Sequence, residues 1–381
     1  MNTSLSLYNR GVCVHVTGER ARMKRIGILT GGGDAPGLNA VIRSVVLTAK
    51  YRCGWEVVGI REGYDGLLAG NPPVVLTEER VRDLLPRGGT ILGAVNRGNP
   101  FVRVIEREDG TVDYVDVSEE AVHRMEEHGL DALIVAGGDG TMAIANKLVP
   151  LGARIVGVPK TIDNDLDQTD VTFGFDTAIL TATEALDKLQ TTAESHHRVM
   201  VLEVMGRNAG WIALKSGVAG GADAILIPEI PFNIAVVNDK IRALRAEGRR
   251  YSLVVVAEGA APMGGDQHYY IKGDGLMQPR LGGIGYLVGN LIADGIDGDV
   301  RVTVLGHLQR GGQPTPRDRW LATQFGAEAI QLILDEKWGH MVALHGNTLT
   351  AVPFADAIKL KFVDPNGTLV QMARNLGIVF G

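Results

Sequence analysis

Eight short apolar runs, each bounded by glycine or proline, punctuate the chain: RIGILT (25–30), EVVGI (56–60), DALIVAGG (131–138), RIVGVP (154–159), RVMVLEV (198–204), AILIP (224–228), SLVVVAEG (252–259) and RVTVLGH (301–307). Their apolarity is continuous rather than alternating, the pattern of strands covered on both faces. Helix-length segments lie between many of them, at 37–50, 140–149, 176–194, 208–218, 234–247, 281–295 and 318–335. Strand alternating with helix calls for a parallel sheet with helices on both sides. Eight strands are too many for one small sheet, and 381 residues exceed one ordinary domain. The fold class expected is therefore α/β, with two doubly wound, mainly parallel-sheet domains joined near Gly174.

Glycine sharpens this reading. It supplies 50 of 381 residues, about 13% against a usual ~7%. Many glycines stand in clusters directly after apolar runs, where a missing side chain lets an anion approach the backbone N–H groups. The formal net charge of −6 argues against nucleic acid or a membrane surface as partner, so an anionic ligand needs a local basic cluster. Cys13 and Cys53 show neither metal nor disulfide spacing, which points to a reducing cytoplasm. No run of 18 apolar residues suggests a membrane span. Residues 1–22 carry no helical or strand period and do not resemble a signal peptide. Folding is expected to begin at MKRIGILT (23–30), leaving residues 1–23 as an extension or loose tail.

In open parallel sheets, ligands gather beyond the carboxyl ends of the strands. The clusters that follow the apolar runs therefore belong on one rim, or on two facing rims. TGGGDAPGLNAVIR (30–43) leaves a strand and opens a helix, a setting that attracts phosphate. It is not a Walker A loop, because Leu38 and Asn39 follow Gly37. It is not the dinucleotide fingerprint either, because Pro36 stands where glycine is wanted. A plain tight turn is the alternative. AGGDGTMAIANKL (136–148) repeats the arrangement with Asp139 inside it, suited either to Mg2+ beside bound phosphates or to a helix cap. VPKTIDNDLDQTD (158–170) crowds Asp163, Asp165, Asp167 and Asp170 behind Lys160. It is a solvated acidic loop, a cation trap, or a base and a metal-side carboxylate for phosphate chemistry. Its place after a buried run favours the rim.

Arg198, Arg207, Arg301 and Arg310 stand at the ends of predicted strands. Singly, each is read as an arginine reaching for water. Four converging on one rim would hold a phosphate through bidentate contacts. His196, His197 and His307 are candidates for catalysis or for ordinary hydrogen bonding.

GGGDAPGLNAVIR, GGDGT, PKTIDND, MGR, IPEI and GHLQRGG, in that order, resemble the 6-phosphofructokinases over roughly residues 24–330. The resemblance implies two Rossmann-like domains. Residues 24–174 with about 309–360 would bind the donor and Mg2+. Residues 175–308 with about 361–381 would bind the sugar phosphate. It implies phosphoryl transfer from ATP to the 1-hydroxyl of fructose 6-phosphate. Asp163 would be the base, with Lys160, Thr161, Asp165 and Arg207 in the catalytic group. On the donor side it implies Gly33, Tyr64, Arg97, Gly98, Gly138, Asp139, Gly140 and Thr141, with Asp139 on Mg2+. The spacing before Arg97 is one residue longer than in many relatives. On the sugar side it implies Thr161, Ile162, Asp163, Met205, Gly206, Arg207, Glu229, His307, Leu308, Gln309 and Arg310. Arg198 and Arg301 would reach into a neighbouring subunit's site, which implies a homotetramer or a dimer.

Two positions bear on the donor. Gly140 stands where pyrophosphate users tend to carry aspartate, which would crowd the α-phosphate of ATP. Lys160 is the residue that pyrophosphate users carry. Steric exclusion outweighs one added charge, so ATP is expected, with pyrophosphate as the alternative. Regulated bacterial relatives have two arginines four residues apart after the first glycine loop. Here Arg43 is followed by Leu47, which weakens an expectation of effector control. A non-catalytic phosphosugar sensor would want the base position lost, and Asp163 is present. GGDG alone would also suit NAD or lipid kinases, but MGR and HLQRGG argue against them.

Overall fold

The structure is a computed structural model that describes residues 24–95, 98–106, 112–271 and 280–381. All eight apolar runs form strands, and they divide between two sheets. The larger has seven strands in the order Thr348–Pro353, His340–His345, Ile155–Pro159, Ala132–Gly137, Arg25–Thr30, Glu56–Ile60, Val74–Val75. Its inner pairings are parallel, and both edge strands run antiparallel. The smaller is wholly parallel, in the order Val300–Val304, Val199–Val204, Ser252–Ala257, Ala224–Leu226.

Side-chain alternation sets the layers. Along Arg25–Thr30, Ile26 and Ile28 point to a core shared with helices Leu38–Thr48 and Pro316–Leu334, where Val41, Val45, Phe325 and Ile330 pack. Leu29 points to the opposite face, onto Leu133, Val135, Met142 and Phe354. Burying one such side chain contributes about 1.5–3 kcal/mol. The two helices touch closely: Ser44 Oγ donates to the Thr323 carbonyl at 2.6 Å, and a Cβ at Gly326 would stand 2.8 Å from the Val41 carbonyl oxygen.

Helix Phe175–His196 begins at Gly174 (φ 94°) and lies against the smaller sheet. Its first turn is held from the other helix layer by the fully buried Asp318, whose Oδ2 accepts from the Thr177 amide (2.8 Å) and hydroxyl (2.6 Å). The chain end returns to the smaller sheet. Val370 and Ala373 pack on Leu202 and Val255, and Ile225 N donates to the Val379 carbonyl at 2.9 Å.

The structure departs from the sequence reading in three places. Val300–Val304 is an edge strand, half-exposed rather than covered on both faces. The hairpin His340–His345/Thr348–Pro353 was not foreseen, because HMVALH and TLTAVP mix apolar and polar residues as edge strands do. Short or polar helices such as Gly63–Leu68 and Ser118–Glu127 also escaped a search for long apolar segments. No helix among the described residues is long and apolar enough to cross a membrane.

Candidate active site

The carboxyl ends of the strands open on one cavity of about 1050 Å³, larger than most single-ligand pockets. The first glycine cluster forms one wall. Gly31 is wedged against Thr141, whose Oγ1 would lie 2.5 Å from a Cβ there, and Gly32 takes φ 73°. Helices Leu38–Thr48 and Asp139–Leu148 start at Gly37 and Gly138, neither with a side-chain cap. The start of Asp139–Leu148 lines the cavity, so its first N–H groups are left for other acceptors, as a phosphate site needs, whereas the start of Leu38–Thr48 is buried off the lining with Leu38 N on the Ala35 carbonyl at 3.5 Å.

Asp139 opens its helix as an exposed first-turn residue and does not cap it, which sets aside the capping alternative. Beside it Gly140 is exposed, and a Cβ added there meets nothing within 4 Å. Tyr64 is buried and donates its hydroxyl to the Thr141 carbonyl at 3.3 Å. Burial pushes its phenol far above the usual range, so it stays neutral.

The acidic run supplies the floor. Strand Ile155–Pro159 ends, Lys160 bridges to Phe173, and the chain folds back on itself. Asn164 adopts φ 53°, and its Oδ1 accepts the Thr172 amide at 3.0 Å, closing the loop. Thr161 Oγ1 donates to Asp165 Oδ1 at 3.0 Å and accepts from the Asp163 amide at 3.1 Å. Asp163 and Asp165 both line the cavity, while Asp167 and Asp170 lie off it. Asp163 Oδ1 is buried without a hydrogen-bond partner. Burial, reinforced by the charge of Asp165, pushes the Asp163 carboxyl up to about 7. Burial also raises Asp165, as does the charge of Asp139, against the hydrogen bond from Thr161. Lys160 is buried with its ammonium on the Gly33 carbonyl, and desolvation lowers it to about 8, with Arg310 adding to the shift.

The opposite wall carries Met205, Arg207, His307 and Arg310, with Arg310 Nη1 donating to the Asp34 carbonyl at 3.2 Å. Gly33 also lines the cavity, so close to Arg310 that a Cβ would stand 2.8 Å from Nη1. Of the donor-side residues, Gly33, Tyr64, Gly138, Asp139, Gly140 and Thr141 line the cavity.

Other expected residues lie elsewhere. The side chain of Ile162 is fully buried against the core of Ala35 and Phe175, leaving only its backbone for a ligand. Gln309 is fully buried and accepts the Met205 amide at 2.7 Å, so it positions Met205 rather than meeting the cavity. Leu308 is exposed and off the lining, and Gly206 (φ 139°) is a tight turn against the Ala209 carbonyl. Gly98 (φ 95°) packs against Asp65, and Arg97 lies outside the described residues. Glu229 accepts from the amides of Gly210 (3.0 Å) and Val363 (2.8 Å), bracing the start of helix Trp211–Ala219 away from the cavity.

The convergence of four arginines is corrected. Arg207 and Arg310 face the cavity, whereas Arg198 and Arg301 sit at the opposite ends of their strands, both paired with Asp299. They precede Val199–Val204 and lie early in Val300–Val304, and only residues following a parallel strand reach the ligand rim.

Sequence reasoning missed Glu258. Burial pushes it up to about 7. It feels the charges of Arg310 and Arg207, and its own charge raises Asp163. The signal was available, since Glu258 directly follows the buried strand Ser252–Ala257 as Asp139 nearly follows Ala132–Gly137. Gly89, Thr90, Ala94 and Asn99 line the cavity itself, without a periodic pattern to announce them.

The chain is similar to known proteins over most of its length. The family model described as Phosphofructokinase matches residues 25–333. The ATP-dependent 6-phosphofructokinase of Chloroflexus aggregans is 54% identical over 362 residues, 95% of this chain and 99% of that one. The pyrophosphate–fructose 6-phosphate 1-phosphotransferase of Amycolatopsis methanolica is 49% identical over 344 residues, 90% of this chain and 96% of that one. Among solved structures, Pichia pastoris phosphofructokinase in the T-state superposes with a TM-score of 0.75 at 32% identity, over 89% of this chain and 36% of the yeast chain. With most of its length and its cavity-forming motifs inside that match, the chain belongs to the phosphofructokinase family.

Proposed function

We propose that this chain is an ATP-dependent 6-phosphofructokinase. It moves the γ-phosphoryl group of ATP onto the 1-hydroxyl oxygen of fructose 6-phosphate, releasing ADP, while Asp163 takes the hydroxyl proton. The observation that carries the reading is Asp163 Oδ1, a buried acceptor on the cavity floor with no partner of its own. Its carboxyl is tuned to about 7, near the optimum for a general base at neutral pH. Phosphoryl transfer asks mainly for positioning and charge neutralisation. The glycine turns and the uncapped start of helix Asp139–Leu148 serve the donor, and Arg207, His307 and Arg310 serve the 6-phosphate sugar.

Asp139 and Asp165 fit Mg2+. No group of three or more His, Cys, Asp or Glu suited to a metal occurs among the described residues, and two hard carboxylates beside a phosphate site match an ion that takes most of its ligands from phosphate and water. Once bound, Mg2+ would neutralise charge on the transferring group.

The open space at Gly140 favours ATP, since no atom of the described residues lies within 4 Å of a Cβ placed there. Pyrophosphate is the second reading, supported by Lys160 and by the name of the Amycolatopsis relative. Arg198 and Arg301, turned away from their own cavity, suit a homotetramer or dimer with shared sites. The reaction would be a cytoplasmic step of glycolysis. A coupled assay for fructose 1,6-bisphosphate with each donor in turn tests the reading: turnover with ATP is expected, and turnover with pyrophosphate alone would reassign the donor.

A further inference from the structure

Residues 359–363 thread between the loop that carries Asp163 and the helix that follows Arg207. Leu360 pairs with Leu166 in an antiparallel bridge, and Asp167 N donates to the Lys359 carbonyl at 3.0 Å. Lys361 is the junction. Its amide donates to the Asp165 carbonyl at 2.8 Å, and its carbonyl accepts from Trp211 Nε1 at 2.9 Å. Its ammonium donates to the carbonyls of Thr169 (2.8 Å) and Asp170 (3.2 Å) and lies 5.8 Å from the Trp211 ring centre. Two residues on, Val363 N holds Glu229, which in turn accepts the Gly210 amide just before that helix. One side chain thus gathers the far half of the base loop, while its backbone ties the loop's centre to the sugar-side helix.

We propose that Lys361 is a positioning residue for phosphoryl transfer, acting through Asp165 and the loop to hold Asp163 in line with the sugar hydroxyl. This rests on Asp163 being the base. A misplacement of about 1 Å at such a group can cost on the order of a hundredfold in rate. Lys361 does not itself line the cavity, and its contact with the lining residue Asp165 is through its backbone amide, which a side-chain change leaves in place, so loss of the ammonium acts on the chemical step and leaves sugar binding alone.

The experiment is steady-state kinetics with ATP, Mg2+ and fructose 6-phosphate on Lys361→Met, Lys361→Arg and Trp211→Phe. Lys359→Met serves as control, since Lys359 is exposed and its ammonium pairs with Asp356. Lys361→Met is expected to lower kcat between about ten- and a hundredfold with the sugar KM held within about twofold. Lys361→Arg should recover most of the loss, and Lys359→Met should match the wild type. Full kcat in folded Lys361→Met overturns the proposal. So does a parallel rise of KM and fall of kcat, which general loosening of the cleft would produce. Should Lys361→Met fail to fold, Trp211→Phe decides, because it keeps an aromatic ring, though a smaller one, and removes the donor to the Lys361 carbonyl: a fall in kcat alone supports the proposal and unchanged kcat overturns it. A wild type that leaves fructose 6-phosphate unphosphorylated brings down the functional reading itself, and the proposal with it.

Discussion

Thr161 gives its hydroxyl proton to Asp165, at 3.0 Å, and not to Asp163. That one bond separates two carboxylates that sit two residues apart in the same cavity. Asp165 has a donor that favours its charged form, as a metal-side ligand requires. Asp163 Oδ1 has none and is left for the substrate.

Asp163→Asn keeps the shape of the loop and removes the proton acceptor. kcat should fall by about 10²–10⁴ while fructose 6-phosphate binding, read by titration calorimetry, stays within a few-fold. Equal loss of binding and turnover would make Asp163 a structural residue.

The base must be ionised to act. Because burial raises Asp163 to about 7, kcat/KM should decline as pH falls through 7, about tenfold per unit below it. The charge of Glu258 contributes to that rise, so Glu258→Gln should move the acid limb to lower pH. A limb that stays in place in the variant removes Glu258 from the electrostatics of the site.

Gly140→Asp would place a carboxylate in space now open within the cavity. The ratio of kcat/KM for ATP to that for pyrophosphate should drop by about tenfold or more, the result of like-charge repulsion and crowding at the α-phosphate. If the ratio holds, donor choice lies elsewhere, with Lys160 the next position to vary.

Arg198 and Arg301 pair with Asp299 at the strand ends remote from their own cavity. If they complete a neighbour's site, Arg301→Ala should raise the sugar KM. Hybrids of Arg301→Ala with Asp163→Asn subunits should then combine the low sugar KM that the first parent lacks with the turnover that the second lacks. Hybrids no better than the parents would confine each site to one subunit.

Asp318 bears on stability rather than turnover. Its folded pKa is raised by burial from 3.8 to about 6, so between those values the native state keeps a proton that the unfolded chain has lost. Stability should therefore fall as pH rises through that window, by at most about 3 kcal/mol at ~1.4 kcal/mol per unit. Asp318→Asn retains an acceptor for Thr177 and should flatten the slope measured by urea denaturation. Identical slopes in both proteins would assign the effect to other groups.

Apart from the edge strand Val300–Val304, the strands legible in the sequence are those largely buried on both faces, because there nearly every position has to be apolar. His340–His345 and Thr348–Pro353 sit at an edge, face water in part, and carry no such run. The same contrast holds in the site. Asp139, Asp163 and Arg310 follow strands or glycine turns and could be placed on the rim from one dimension. Glu229 and Gln309 stand in equally suggestive motifs, yet their side chains turn inward to backbone amides of Gly210 and Met205. Whether a polar side chain at the rim faces a ligand or a neighbouring amide depends on partners brought in from distant parts of the chain.

By itself, the order of apolar runs, glycines and carboxylates determined two parallel α/β layers, the rim on which ligands meet, and the phosphate-directed character of that rim, since these follow from strand and turn geometry local to each segment. Tertiary structure alone decided that Asp163 lacks a donor while Asp165 has one, that Arg198 and Arg301 leave the cavity, that the charge of Glu258 reaches Asp163, and that Lys361 fastens the base loop. Each of those depends on how the folded chain orients its side chains, and on burial, which sets the proton affinity of a carboxylate only once the surrounding chain has removed it from water.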